Sequence, residues 1–223
     1  DDTVQLSAAV GSGTPALTSG TLTIVNVACS TESIQDALDN ALPGGTLLIN
    51  VSNTCNETVR IRRNRVRLEG ISSAKIVGQD ADEGAVNVYH AQDVQINAIN
   101  LESSLPTTGN GLAAIDKGEV RFSNGTISNA QFGAIATRDG LLRLDTVTIT
   151  DVSNYGVLLT DGASARIDNI TINVDLVNID FNQYALAMIR GSWIRLRGTN
   201  VISNSGVASG DRYAVSIAHR GQL

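Results

Sequence analysis

The sequence predicts an all-β chain wound as a single-stranded parallel β-helix, a solenoid, and three observations predict it. Four segments align on one another: VQINAINL from Val94, VRFSNGTI from Val120, LRLDTVTI from Leu142 and ARIDNITI from Ala165, with IRLRGTNVI from Ile194 as a looser fifth copy. A second set of alternating strands, each ending in glycine, accompanies them: GLAAIDKG, GAIATRDG, GVLLTDG, YALAMIRG and YAVSIAHRG. The copies recur every 20 to 30 residues, the spacing of solenoid coils, and the turns between strands are short and lack a helical pattern. Period-two alternation makes each segment a strand with one buried face, and winding the chain as a coil pairs equivalent strands in parallel.

Each element then follows. The inward positions fall in columns: Val94, Val120, Leu142 and Ala165; Ile96, Phe122, Leu144 and Ile167; Ile99, Ile127, Ile149 and Ile172. Residues 1–28 form an extension rich in Gly, Ser and Thr, with a strand expected at 21–27. Residues 29–45 carry an amphipathic helix and turn. Ser30 or Thr31 suits the N-cap, Ile34, Ala37, Leu38, Ala41 and Leu42 share one face, and Pro43-Gly44-Gly45 ends the element. Such a helix would cap the apolar end of the first coil, and the β-helix occupies 46–223, its first strand at Thr46–Val51. The closing AVSIAHRGQL shows no capping pattern, which predicts a covering element or further chain.

Composition narrows the function classes. The chain of 223 residues is 42% hydrophobic and carries a net charge of -6, which argues against a nucleic-acid partner. No apolar run reaches the ~20 residues of a membrane span. Two cysteines, Cys29 and Cys55, flank the helix in a chain poor in lysine. A Cys29–Cys55 disulfide in an exported, secreted or cell-surface protein is the expected pairing, with buried free thiols as the alternative.

The stretch SIQDALDNALPGGTLLIN, followed by NETVRI and VRLEGI, resembles the opening of right-handed parallel β-helix proteins of the pectin-lyase-like superfamily. The resemblance covers residues 30–78 by motif and the remainder by repeat pattern. It implies a right-handed winding. Functionally it implies little, because that superfamily holds lyases, hydrolases, esterases, epimerases and non-catalytic adhesins.

Three sets of side chains stand out on the outward positions. Charges gather after the glycine-ended strands, and Asp139, Asp161, Arg190 and His219 would form an acid/base site if the chain is an enzyme, with Asp175 and Asp180 reaching over from a long loop. Turn chemistry accounts for the same Asp-Gly and Arg-Gly pairs. Arg60, Arg121, Arg143, Arg166 and Arg195 take the same outward position in their repeats and would stack into a basic ridge suited to an anionic polysaccharide or cell-surface glycan. A salt-bridge ladder with Glu119, Asp145 and Asp168 is the competing reading. Phe132, Tyr155, Tyr184 and Tyr213 would stack at a corner or present faces to sugar rings.

No metal spacing, phosphate loop or serine-nucleophile motif is legible, and no cofactor is expected; calcium would enter only if the chain is a lyase, with no clear site for it. The outer face of the second strand set (Ile135, Thr137, Leu158, Thr160, Ala187, Ile189, Ser216 and Ala218) is small and apolar, without the carboxylate pair that glycoside hydrolysis requires, and suits a covered surface or a homo-oligomer contact. The leading expectation is a recognition or assembly module. A polysaccharide-active enzyme is the alternative, and an ice-binding hydroxyl array on Thr126, Ser128, Thr148, Thr150 and Thr171 is the remote one.

Overall fold

In the computed structural model, residues 4–6, 22–174, 183–204 and 212–218 are described. They form a parallel β-solenoid in which the coils stack strand on strand. One sheet has seven strands: Val59–Ile61, Gly84–Tyr89, Asn110–Ile115, Ala130–Thr137, Val152–Leu159, Gln183–Ile189 and Arg212–Ala218. The other has fourteen strands arranged as two limbs. The first limb runs through Leu22–Ala28, Thr46–Ser52, Val66–Gly70 and Val94–Asn97, and the second through Thr54–Cys55, Lys75–Gly78 and Asn100–Ser103. Both meet on the long strands Glu119–Ser128 and Leu141–Ile149, then separate again into Ser164–Asp168 and Trp193–Arg197 on one side and Thr171–Val174 and Val201–Asn204 on the other.

The corner between limbs is made by single residues in the left-handed region: Ala98 (φ 54°), Asn124 (54°), Thr146 (56°) and Asn169 (53°). Asparagine tolerates that region, which accounts for its place in this turn. The corner falls at the same offset in every coil, so the inward columns keep one register through it, and the expected match of Ile99 with Ile127 is off by two residues. Leu101, not Ile99, is in register with Ile127 and thence Ile149 and Ile172. Ile99 is still fully buried.

The core is the column set that alternation predicted. Val94, Val120, Leu142, Ala165, Ile96, Phe122, Leu144 and Ile167 are at most 1% exposed. Gly111, Gly133 and Gly156 take equivalent positions one coil apart in the seven-stranded sheet. A Cβ on Gly133 would lie 2.5 Å from Ile149 Cγ2 and 2.6 Å from Gly156 O, so the coils approach closely here only because the side chain is absent. The same logic pairs Phe122 with Gly125, whose missing Cβ would lie 2.5 Å from the ring.

The helix, α1, spans Ile34–Asn40 and lies against Val59–Ile61, the first strand of the seven-stranded sheet. Its N-cap is Ser33, whose Oγ accepts from Asp36 N at 3.1 Å, rather than Ser30 or Thr31. The Thr31 and Glu32 amides are instead used in a turn to Ala28 O. The Gln35 side chain behaves as a strand fragment: Oε1 accepts from Arg60 N at 2.7 Å and Nε2 donates to Arg60 O at 3.4 Å. A seven-residue helix is not stable alone, and its burial of Ile34, Ala37 and Leu38 against the first coil supplies what propensity does not. Beside it, Cys29 and Cys55 form a disulfide with Cα atoms 4.6 Å apart. The expected strand at 21–27 is found as Leu22–Ala28.

Candidate functional site

The outer face of the first limb carries three parallel columns, because outward positions repeat every second residue and the strands are in register. The middle column is Arg67, Gln95, Arg121, Arg143, Arg166 and Arg195. Arg60 does not belong to it. It sits on Val59–Ile61 in the seven-stranded sheet, in register with Asn87, and its guanidinium pairs with Asp80 at 3.1 Å and Glu83 at 2.5 Å. The segments VRI and VRF alternate alike, and alternation alone does not say which sheet of a coil a strand enters. Arg67 takes the position instead.

On one side of the arginines run Asn50, Glu69, Asn97, Ser123, Asp145, Asp168 and Arg197. On the other run Glu119, Leu141, Ser164 and Trp193. The N-terminal rungs of the polar column are closed by side-chain hydrogen bonds: Asn97 Nδ2 donates to Glu69 at 2.6 Å, and Ser123 Oγ donates to Asn97 Oδ1 at 3.0 Å. The central rungs are closed by ion pairs, Arg121 with Asp145 at 3.3 Å and Arg143 with Glu119 at 2.7 Å. Past them the compensation stops. Among the described residues, Arg166, Arg195 and Arg197 form no ion pair within 4.0 Å. Arg143 Nε is buried and has no hydrogen-bond partner.

These side chains line a groove of about 220 Å³ formed by Arg121, Arg143, Leu144, Asp145, Arg166, Asp168, Arg195 and Arg197, five cations against two anions. A larger cleft of about 860 Å³ lies under the loop after α1, beside Arg60, Arg62, Arg63 and Arg65. Most of its cations already have structural partners. Arg63 donates to the carbonyls of Ala41, Leu42 and Gly44, burial lowers its pKa, and Arg62 lies over the Tyr89 ring with its carbon 5.4 Å from the centroid. The ridge groove is therefore the site where charge stays uncommitted.

The acid/base candidates sit elsewhere, on the turns that leave the seven-stranded sheet. Asp139 (φ 61°), Asp161 (56°) and Arg190 (56°) are all left-handed. Backbone bonds link successive turns, from Asp139 N to Asp161 O at 3.1 Å and from Gly162 N to Arg190 O at 3.1 Å. Asp116, Arg138, Asp161 and Arg190 follow one another coil by coil with alternating sign, and pairs close at Arg138–Asp116 (2.6 Å) and Arg190–Asp161 (3.1 Å). The hydrogen bond from Arg190 holds the Asp161 carboxyl below its ordinary pKa, assisted by the Thr160 and Thr137 hydroxyls against partial desolvation. A carboxyl kept ionised in this way is poorly placed to act as a general acid. Asp139 lies one residue further along its turn than Asp161 does. His219, Asp175 and Asp180 lie outside the described residues. Among the described residues there is no group of three or more His, Cys, Asp or Glu able to hold a metal ion.

The aromatic column is in register as Phe132, Tyr155, Tyr184 and Tyr213. Tyr155 and Tyr184 lie 5.1 Å apart at 11°, and Phe132 and Tyr155 lie 5.4 Å apart at 56°. The two tyrosine faces cover each other, and burial raises the Tyr155 pKa, with Tyr184 adding to it. The hydroxyl array is short: Thr126, Thr148 and Thr171 share one column, and Val201 follows them. On the seven-stranded sheet Ala113, Leu158 and Ala187 are already buried, at 1%, 8% and 5% exposure. In the last coil Val215 and Ile217 are 38% and 48% exposed, although their register partners Leu186 and Met188 are fully buried.

No protein-family model, no curated protein and no solved structure matches the chain. No helix of the described residues is long and apolar enough to cross a membrane.

Proposed function

We propose that this chain is a secreted or surface-exposed recognition module that binds an anionic polysaccharide along the arginine ridge of its first limb. The observation that carries the reading is that Arg166 and Arg195, in register, and Arg197 beside Arg195 on the same strand stand on a grooved face without an ion pair among the described residues. Stacked like charges about 4.8 Å apart repel, so an unpaired run is stabilised by whatever anion settles on it. Guanidinium groups present forked donors that match carboxylate and sulfate, and a polymer with one anion per sugar offers a repeat of similar size to a rung. The disulfide suits an oxidising, extracytoplasmic setting. Kinship with pectin-lyase-like β-helices belongs to the same proposal and is supported by the Ile34-Gln35 opening, where Gln35 bonds the backbone of Val59–Ile61.

The test is a panel of anionic and neutral polysaccharides, scored for co-sedimentation and for new reducing ends or unsaturated uronates. Binding of anionic polymers that weakens as salt rises, without product, supports the module. Product from any polymer transfers the weight to the enzyme reading, and indifference to every anionic polymer ends the ridge reading.

A further inference from the structure

We propose that the last rungs of the ridge hold an anionic pyranose, with the sugar ring stacked on the indole of Trp193 and its charged substituent between the guanidiniums of Arg195 and Arg166. This rests on the ridge being a polysaccharide site. It makes the site specific for sugars over other polyanions.

Trp193 is the single tryptophan of the chain and is 39% exposed. Its strand, Trp193–Arg197, alternates: Ile194 is 3% exposed and faces the core, so Trp193, Arg195 and Arg197 stand together on the outer face. Outward neighbours two residues apart on a strand are about 6.6 Å apart, close to the width of one sugar ring. The neighbour of Trp193 on the preceding rung is Ser164, a small side chain that leaves the outer face beside the indole open. Arg166 is the corresponding neighbour of Arg195. Both of those arginines are unpaired among the described residues, whereas Arg121 and Arg143 are closed by Asp145 and Glu119. An exposed indole and free guanidiniums side by side match a ligand that is apolar on one face and anionic at its edge. A pyranose bearing a carboxylate or sulfate has that form: its ring C–H groups make an apolar face, and its substituent lies in the ring's plane. Polyphosphate has the charge without the face. Single-stranded nucleic acid is the remaining stacking polyanion, and the oligothymidylate arm of the test separates it from the saccharides.

The single tryptophan is its own reporter. The full chain is titrated at fixed salt with oligogalacturonate, a dextran sulfate oligosaccharide, polyphosphate and oligothymidylate of matched charge, following Trp193 emission, with affinities measured in parallel by calorimetry. The saccharides are expected to move the emission saturably and polyphosphate to leave it unchanged; whether carboxylate or sulfate binds tighter identifies the substituent. Trp193→Ala should weaken saccharide binding about tenfold and Trp193→Phe by less, the size of a lost aromatic stack. Circular dichroism on both variants checks that the exposed substitution leaves the fold intact, and Arg195→Ala should reduce affinity without abolishing the emission change. If saccharides bind with equal affinity to Trp193→Ala and the emission stays still, this inference fails while the ridge stands. If polyphosphate or oligothymidylate moves the emission as the saccharides do, sugar specificity fails. If no anionic saccharide binds, the ridge and this inference fall together.

Discussion

The carboxylate of Glu57 accepts a hydrogen bond from Ser33 Oγ at 2.7 Å, and its two oxygens also take the amides of Ile34 and Gln35 at 2.8 and 3.0 Å. One side chain from the turn before Val59–Ile61 thus satisfies the first turn of α1, whose N–H groups have no partners within the helix. Charge-assisted bonds of this kind are each worth about 1.5–3 kcal/mol. Glu57→Ala should lower unfolding stability by about 2 kcal/mol or more in urea titration, and Glu57→Gln by less. An alanine variant as stable as wild type would show that the helix is held by its apolar face alone.

Close coil contact at Gly133 leads to a second expectation. Adding a methyl group there drives it into Ile149 and the Gly156 carbonyl, so Gly133→Ala should cost about 1–3 kcal/mol and lower the melting temperature. The position one coil beyond Gly156 is filled by Ala185, so Ala185→Gly serves as the counterpart. It should change stability by about 1 kcal/mol or less.

Reducing the Cys29–Cys55 bridge removes a cross-link between residues 26 apart in sequence. Loop-entropy arguments put the loss at roughly 3–4 kcal/mol. Thermal unfolding of a Cys29→Ala/Cys55→Ala variant measures it, and Cys55, nearly fully buried, should tolerate alanine better than serine.

The ridge arginines should separate by their partners. Arg166→Glu is expected to weaken binding of an anionic glycan and flatten its salt dependence, with little change in stability, because no native ion pair is lost. Arg143→Glu should do the same to binding but also place a like charge beside Glu119, which a lowered denaturation midpoint would register. Equal binding by both variants and wild type would remove the ridge from consideration.

Acid should loosen the Asp161–Arg190 pair in a defined direction. The folded carboxyl titrates below its ordinary value of 3.8, so its contribution is complete above that value and is lost as pH falls through the lowered one. Wild type should therefore exceed Asp161→Asn in stability near neutrality, with the two curves converging in strong acid. A gap that persists at low pH would assign the effect to packing. Should the chain prove catalytic, the same exchange tested for turnover shows whether Asp161 acts in it.

The fold was legible because a solenoid repeats its physics: alternation identified Phe122 and its column as core, and the same period identified Arg121, Arg143, Arg166 and Arg195 as neighbours. What failed was information that alternation does not contain. Arg60 went to the wrong column because both sheets of a coil alternate. Ile99, by contrast, is a plain misalignment: VQINAINL set on VRFSNGTI already puts Leu101 opposite Ile127. The cap was sought at Ser30 or Thr31, whereas Ser33 is fixed by Glu57, a residue 24 positions away that no local pattern marks. Trp193 was readable as outward from its place before Ile194, but its interest lies in the unpaired arginines beside it, and pairing is a property of three dimensions.

In-register stacking also makes the ridge a ruler. Leu141 and Ser164 are equivalent positions, so excising 141–163 would join one coil to the next with every column intact and one rung fewer. Groove length, and with it the number of sugars gripped, becomes a quantity set by whole-coil insertions and deletions, whereas a shift by a single residue would turn arginines inward and isoleucines out. A lineage of such chains could lengthen or shorten its reach without redesigning any contact.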